Sequence, residues 1–121
     1  VPNRRVMQRL RRFEDRIVTA SVIWHELQYG ACRLPRSNKR TAIEKFLESV
    51  VGGTIPILPY DERAARWHAA ERARLEKIGK TPAFVDSQIA GTAKVNGLTL
   101  VTRNVGNYAL FEGLTVENWH R

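Results

Sequence analysis

The sequence contains a single cysteine, Cys32, among its 121 residues. One cysteine cannot form an internal disulfide, and it lacks the paired spacing of a structural zinc site. The sequence also lacks an apolar run of the roughly 18 residues that a membrane-spanning helix needs. No apolar segment follows a basic start as in a signal peptide, and there is no glycine-rich phosphate loop. These absences favour a cytoplasmic protein with no membrane segment.

Acidic residues are scarce relative to basic ones. Twelve Asp and Glu stand against 20 Lys and Arg, which gives a net charge of +8. This surplus favours a polyanionic partner such as nucleic acid, because phosphate contacts release condensed counterions. Five of the arginines lie on one face of the predicted first helix, which is consistent with either a solvated face or an RNA-binding surface. The residues on that face are Arg4, Arg5, Arg9, Arg11 and Arg12.

The spacing of apolar residues predicts helices that alternate with short strands. Helices are predicted at 4–13, 21–34, 39–51, 61–78 and 81–95. Apolar runs predict strands at 17–20, 98–102 and 115–118, and the two prolines of 54–59 indicate an extended edge segment. This alternation predicts the α/β class, with a parallel sheet covered on both faces. The length fits a single domain over 1–121.

Two carboxylates interrupt the apolar stripes of predicted helices. Glu26 lies between Ile23 and Leu27, and Asp86 lies beside Val85; each follows its predicted N-cap, Ser21 or Thr81, by five positions. Such acids can simply complement the positive end of the helix dipole. Alternatively, because an unpaired buried carboxylate is costly, both can hold a hard cation such as Mg²⁺ or Mn²⁺. In a parallel sheet the two helix starts would lie at one edge, where ligands bind.

Four segments together resemble the PIN-domain family, in its branch of VapC-like toxin ribonucleases. They are VTASVIWHEL at 18–27 followed by Tyr29-Gly30, ILPYD at 57–61, DSQIAGTA at 86–93 and LVTRN at 100–104. The resemblance implies a three-layer α/β/α domain around a central parallel sheet. It also implies Mg²⁺- or Mn²⁺-dependent cleavage of RNA, a VapB-like antitoxin as partner, and a homodimer.

The resemblance also assigns site residues. Glu26 matches the second acid of the family and Asp86 matches the third. The resemblance implies that both are catalytic residues and metal ligands. Thr102 and Asn104 fall in the segment that carries the fourth acid, and the amide of Asn104 supplies no charge. Members of the family begin with a strand that ends in an aspartate. No such strand precedes Val1, so we expect a domain that lacks its N-terminal strand. A catalytically incompetent module that binds RNA or protein is the alternative.

Overall fold

The computed structural model describes residues 4–12, 17–52 and 55–119. The chain forms two compact units. Ile17–Pro59 make up the small unit, and Val1–Arg16 with Tyr60–Arg121 make up the large unit. Both units contain helices and short parallel strands, which confirms the predicted α/β class. That residues 1–121 form a single domain stays a prediction.

The strands of the small unit pair in parallel. β1 (Thr19–Ala20) lies beside β2 (Ile57–Leu58), with Thr19 opposite Ile57. The Thr19 N–H donates a hydrogen bond to the Pro56 carbonyl oxygen at 2.9 Å. The segment around the two prolines is therefore extended as predicted, although each strand is shorter than the sequence indicated.

The helices of the small unit begin and end differently from the prediction. α2 (Ser21–Cys32) has Ala20 as its N-cap, so the predicted cap at Ser21 is wrong; the extended backbone of Ala20 leaves Ser21 as the first helical residue. α3 (Asn38–Phe46) begins after Ser37, whose Oγ accepts a hydrogen bond from the Arg40 N–H at 3.2 Å. A π-helix (Leu47–Gly52) follows, where a regular helix was predicted. The predicted stop at Gly53 lies outside the described residues.

A small apolar cluster holds these helices together. Ala31 of α2 and Leu47 are buried, and Trp24 and Ile43 pack against them. Phe46 was also predicted on the inner stripe, but its side chain is 57% exposed. The predicted stripe assumes regular α-helical spacing from 39 to 51. A π-helix begins directly after Phe46, so the residues that face inward no longer follow that spacing.

In the large unit, α4 (Glu62–Lys77) packs along α5 (Phe84–Val95). Asp61 caps α4 as predicted, since its Oδ1 accepts a hydrogen bond from the Ala64 N–H at 3.0 Å. The two helices approach closely at Gly91, where an added Cβ would lie 3.0 Å from the Ala64 carbonyl oxygen. A side chain at position 91 would therefore force the helices apart.

α5 begins later than predicted. Its N-cap is Ala83 rather than Thr81, because the first helical hydrogen bond runs from the Ser87 N–H to the Ala83 carbonyl oxygen at 3.0 Å. Pro82 therefore precedes the helix instead of occupying its first position. The later start moves Asp86 into the first turn of α5.

The C-terminal part of the large unit contains a second parallel pair. β3 (Leu100–Val101) lies beside β4 (Val116–Glu117), and a 3₁₀ helix (Val105–Tyr108) connects them within the predicted loop or short helix. The core between these strands and the helices α4 and α5 consists of Leu75, Ala90, Ala93, Leu100, Tyr108 and Phe111.

α1 (Arg4–Arg12) also belongs to the large unit. Arg9 lies 3.9 Å from a carboxylate oxygen of Glu117 and 5.9 Å from the centre of the Trp119 ring. The predicted start of this helix at Pro2-Asn3 and its end at Phe13 lie outside the described residues. Among the helices in 4–12, 17–52 and 55–119, none combines the length and hydropathy needed to cross a membrane.

Candidate acidic site at the start of α5

Asp86 is the third residue of α5 and is half-buried. At this position its carboxylate lies near the unpaired N–H groups and the positive dipole end of the helix. Within the described part of the chain no Lys or Arg forms an ion pair with it. Its negative charge is therefore available to a cation.

The Tyr108 hydroxyl donates a hydrogen bond to Oδ1 of Asp86 at 3.2 Å. Tyr108 ends the 3₁₀ helix and is 5% exposed. Its burial, followed by the nearby charge of Asp86 and the hydrogen bond, raises the pKa of the Tyr108 phenol far above its ordinary value. The phenol consequently remains protonated and acts as the donor. Sequence reasoning missed Tyr108, because an aromatic residue 22 positions away looks like an ordinary core residue.

Thr102 and Asn104 follow β3 at its carboxyl end. The Thr102 N–H donates to the Glu117 carbonyl oxygen at 3.0 Å, which extends the β3–β4 pairing by one residue. Thr102 Oγ1 accepts a hydrogen bond from the Asn104 N–H at 3.1 Å, and Asn104 precedes the 3₁₀ helix. Asn104 is exposed, and its side chain makes no capping hydrogen bond to that helix. Its amide oxygen therefore remains available to a ligand.

The chain connects these residues to Asp86 through elements of the large unit. A short connection after α5 leads into β3, and Thr102 and Asn104 follow that strand. The Tyr108 hydrogen bond ties the 3₁₀ helix after Asn104 to the first turn of α5. That these residues form one site at the carboxyl ends of parallel strands stays a prediction.

Glu26 lies in α2, in the small unit, and its predicted inward orientation is wrong. Its side chain is exposed, as is that of Leu27. The inner face of α2 instead follows Trp24, Gln28 and Ala31, at helical spacings of four and three. Glu26 lies on the opposite side of that helix, with one carboxylate oxygen 3.8 Å from Nδ1 of its neighbour His25. Its convergence with Asp86 stays a prediction.

The donor atoms of the predicted site residues in the large unit suit a hard cation. They are carboxylate, amide and hydroxyl oxygens of Asp86, Asn104 and Thr102, the ligand type that Mg²⁺ and Mn²⁺ prefer. Residues 4–12, 17–52 and 55–119 contain no group of three or more His, Cys, Asp or Glu placed to hold a metal ion. The chemistry of the donors thus fits Mg²⁺ with much of its water shell and does not fit a zinc centre.

Comparison with known proteins identifies the family of the chain. The model of the PIN domain family matches residues 2–108. The chain is 32% identical to Toxin FitB of Neisseria gonorrhoeae, over 98% of this chain and 88% of that protein. It is 33% identical to the tRNA(fMet)-specific endonuclease VapC of Shigella flexneri, over 94% and 83% respectively. The crystal structure of DNA-bound VapBC from Salmonella typhimurium aligns with a TM-score of 0.85 at 28% identity, covering 96% of this chain and 85% of that one.

Proposed function

Because the chain belongs to the PIN domain family, we propose that it is the toxin of a toxin–antitoxin module, an endoribonuclease that hydrolyses RNA phosphodiester bonds. The observation that carries this proposal is the extent of its likeness to VapC. The similarity to an endonuclease of that name covers 94% of this chain. It is therefore not confined to a shared structural segment.

Asp86 and Glu26 are the proposed metal ligands, with Mg²⁺ or Mn²⁺ as the ion. Asp86 offers Oδ2, since Oδ1 already accepts the Tyr108 hydrogen bond, and Thr102 and Asn104 offer uncharged oxygens beside it. A bound divalent ion in such a site lowers the pKa of a coordinated water and stabilises the charge that develops on the phosphate.

Cationic side chains around the site are proposed to bind the phosphates next to the scissile one. Arg103 is exposed and lies between Thr102 and Asn104 in the sequence, so we propose that its guanidinium donates hydrogen bonds to a phosphate next to the scissile one. Arg33 is the second candidate, although its guanidinium carbon lies 5.1 Å from the centre of the Tyr29 ring. The net charge of +8 supports RNA as the substrate.

The proposed protein partner is a VapB-like antitoxin, and the proposed assembly is a homodimer. The support is that similar solved structures are complexes. One is VapBC of Salmonella typhimurium and another is FitAB, both bound to DNA. Since those chains are 28% identical to this one and align over 96% or more of it, the likeness extends well beyond a single motif.

A second candidate function is a non-catalytic module that binds RNA or protein. The observation that favours it is Asn104, which supplies a neutral amide at the edge where family members carry a fourth acid. One fewer carboxylate weakens the attraction for a divalent ion, and a site too weak to retain the metal would leave only the binding function.

The experiment that separates the two functions is cleavage of a labelled tRNA pool by the full-length protein, with and without Mg²⁺ or Mn²⁺. Asp86→Asn and Glu26→Gln should each abolish metal-dependent cleavage, because the amides keep the side-chain shape but lose the charge. Glu62→Gln is the matched control. Glu62 begins α4 at the far end of the helix pair, where its neighbour Arg63 contacts the Val95 carbonyl oxygen at 3.4 Å.

Cleavage by the wild type that depends on the metal and is lost in both acid variants supports the ribonuclease. Tight RNA binding without any metal-dependent cleavage by the wild type would support the binding module instead. Undiminished metal-dependent cleavage by Asp86→Asn would contradict the assignment of the acidic site.

A further inference from the structure

One contact at the candidate site is explained neither by the pattern of acids nor by packing alone. The Tyr108 hydroxyl lies 3.2 Å from Oδ1 of Asp86 and joins the last residue of the 3₁₀ helix to the first turn of α5. The aromatic ring belongs to the apolar core, with its centroid 6.3 Å from that of Phe111. The same side chain therefore anchors one end in the core and directs its polar atom at the carboxylate.

We propose that Tyr108 is a positioning residue for the acidic site: its hydroxyl holds the Asp86 carboxylate in one orientation, with Oδ1 occupied and Oδ2 presented to a divalent cation. This inference rests on the proposed function and deepens it. Hydrogen bonds from outer residues to metal ligands fix the ligand orientation, and their loss typically costs 10- to 100-fold in metal affinity or activity, as an order of magnitude.

The burial of Tyr108 makes this hydrogen bond persistent. The residue is 5% exposed, so water competes little for the hydroxyl. A buried hydroxyl without a partner is costly, and a carboxylate acceptor makes the bond stronger than one between neutral groups. Asp86 itself is only half-buried, so without Tyr108 its side chain could adopt other rotamers. Restricting Asp86 to one rotamer costs conformational entropy. Because Tyr108 orders the carboxylate before the cation binds, this cost does not reduce the binding affinity.

The orientation also determines how Asp86 can bind the cation. With Oδ1 engaged by Tyr108, the carboxylate is prepared to bind through Oδ2 alone. Single-oxygen binding suits Mg²⁺ and Mn²⁺, which keep several waters in a near-octahedral shell. Tyr108 also links Asp86 to the segment of Asn104, because Tyr108 ends the 3₁₀ helix and Asn104 directly precedes that helix.

The test is Mn²⁺ binding to the full-length protein by isothermal titration calorimetry, for the wild type, Tyr108→Phe and Asp86→Asn. Phenylalanine keeps the ring in the core and removes only the hydroxyl. Tyr108→Phe should weaken Mn²⁺ binding by about 10-fold, whereas Asp86→Asn should reduce it below detection. The matched control is Tyr60→Phe, which removes a tyrosine hydroxyl of the same unit that lies 2.7 Å from Nδ1 of His68. This control should leave the Mn²⁺ affinity unchanged.

A second measurement does not depend on the metal. In metal-free protein, Tyr108→Phe should lower the thermal unfolding midpoint by roughly 5 °C. In the Asp86→Asn background the same substitution should lower it by clearly less, because the amide is a weaker acceptor than the carboxylate. Equal shifts in the two backgrounds would show that the hydroxyl is not coupled to the charge of Asp86, and would overturn the inference.

The outcomes separate this inference from the function on which it rests. If Asp86→Asn loses Mn²⁺ binding but Tyr108→Phe binds as tightly as the wild type or more tightly, Tyr108 does not position the ligand and the acidic site still stands. If Asp86→Asn binds Mn²⁺ like the wild type, the metal site itself is wrong. A 10-fold weakening in Tyr108→Phe, with Mn²⁺ binding lost in Asp86→Asn and unchanged in Tyr60→Phe, supports the positioning role.

Discussion

Substitution of Glu71 by Gln should destabilise the large unit, because Glu71 ties α4 to the chain that follows the 3₁₀ helix. The residue is 7% exposed. Arg74 donates from Nε to Oε2 at 2.8 Å and from Nη2 to Oε1 at 2.9 Å, and the Glu112 N–H donates to Oε1 at 2.9 Å. Arg74 Nη2 also donates to the Leu110 carbonyl oxygen at 2.8 Å. The carboxylate therefore holds both the guanidinium and the backbone at 110–112.

The magnitude follows from the hydrogen bonds that Gln cannot reproduce. Its carbonyl oxygen can keep one of the acceptor roles, but its NH₂ group meets a donor of Arg74. The loss of one charge-assisted hydrogen bond at a buried carboxylate costs about 1.5–3 kcal/mol. For a protein of this size that corresponds to a fall in the unfolding midpoint of roughly 6–12 °C.

The pH dependence of this stabilisation has a definite sign. Hydrogen bonds from Arg74, and then from the Glu112 N–H, lower the pKa of Glu71 below its ordinary value of 4.5, against the opposing effect of burial. A carboxyl group whose pKa is lower in the folded state stabilises the protein fully above its unfolded pKa. The stabilisation is lost as the pH falls through the folded pKa. The wild type should therefore exceed Glu71→Gln in stability at pH 7, and the difference should shrink below about pH 4.5.

The assay is urea unfolding of both proteins from neutral to acidic pH, followed by tryptophan fluorescence. Glu76→Gln is the matched control, because Glu76 lies on the same helix but forms an exposed pair with Arg72 at 3.1 Å. That substitution should change the free energy of unfolding by at most about 0.5 kcal/mol. Equal destabilisation by Glu71→Gln and Glu76→Gln, or a difference from wild type that does not change with pH, would refute the reasoning.

Three further predictions concern other parts of the chain. Asn104→Asp should tighten Mn²⁺ binding, measured by calorimetry, because it adds a carboxylate beside the acidic site; unchanged or weaker binding would place residue 104 outside the metal shell. Gly91→Ala should destabilise the protein by about 1–2 kcal/mol in urea, since the new Cβ meets the Ala64 carbonyl oxygen at 3.0 Å. Gly30→Ala, where nothing lies within 4 Å, should stabilise α2 by up to about 1 kcal/mol, and equal effects at the two glycines would contradict this account. Arg9→Ala should weaken RNA binding evenly across sequences and reduce the salt slope by no more than about one phosphate contact; a sequence-dependent loss would show a different role.

The sequence by itself was sufficient for the class of fold and for the order of its elements. Local chemistry decides these features, so they can be inferred without coordinates. Asp61 followed by a long helical pattern predicts a capped helix, and the Asp61 hydrogen bond to the Ala64 N–H confirms it. The two parallel strand pairs follow from apolar runs separated by helices. That Asp86 and Asn104 share one edge of the sheet stays a prediction.

Only the tertiary structure decided which faces of the helices are buried and what surrounds the acidic site. The apolar spacing of α2 allows more than one inner face, and packing of Trp24 and Ala31 selects the face that leaves Glu26 exposed. The hydrogen bond from Tyr108 to Asp86 joins residues 22 positions apart. No local periodicity encodes such a contact, because it depends on how α5 and the 3₁₀ helix pack around a shared core. The sequence therefore predicted the acids of the site, whereas the packing of the core determined how one of them, Asp86, is held.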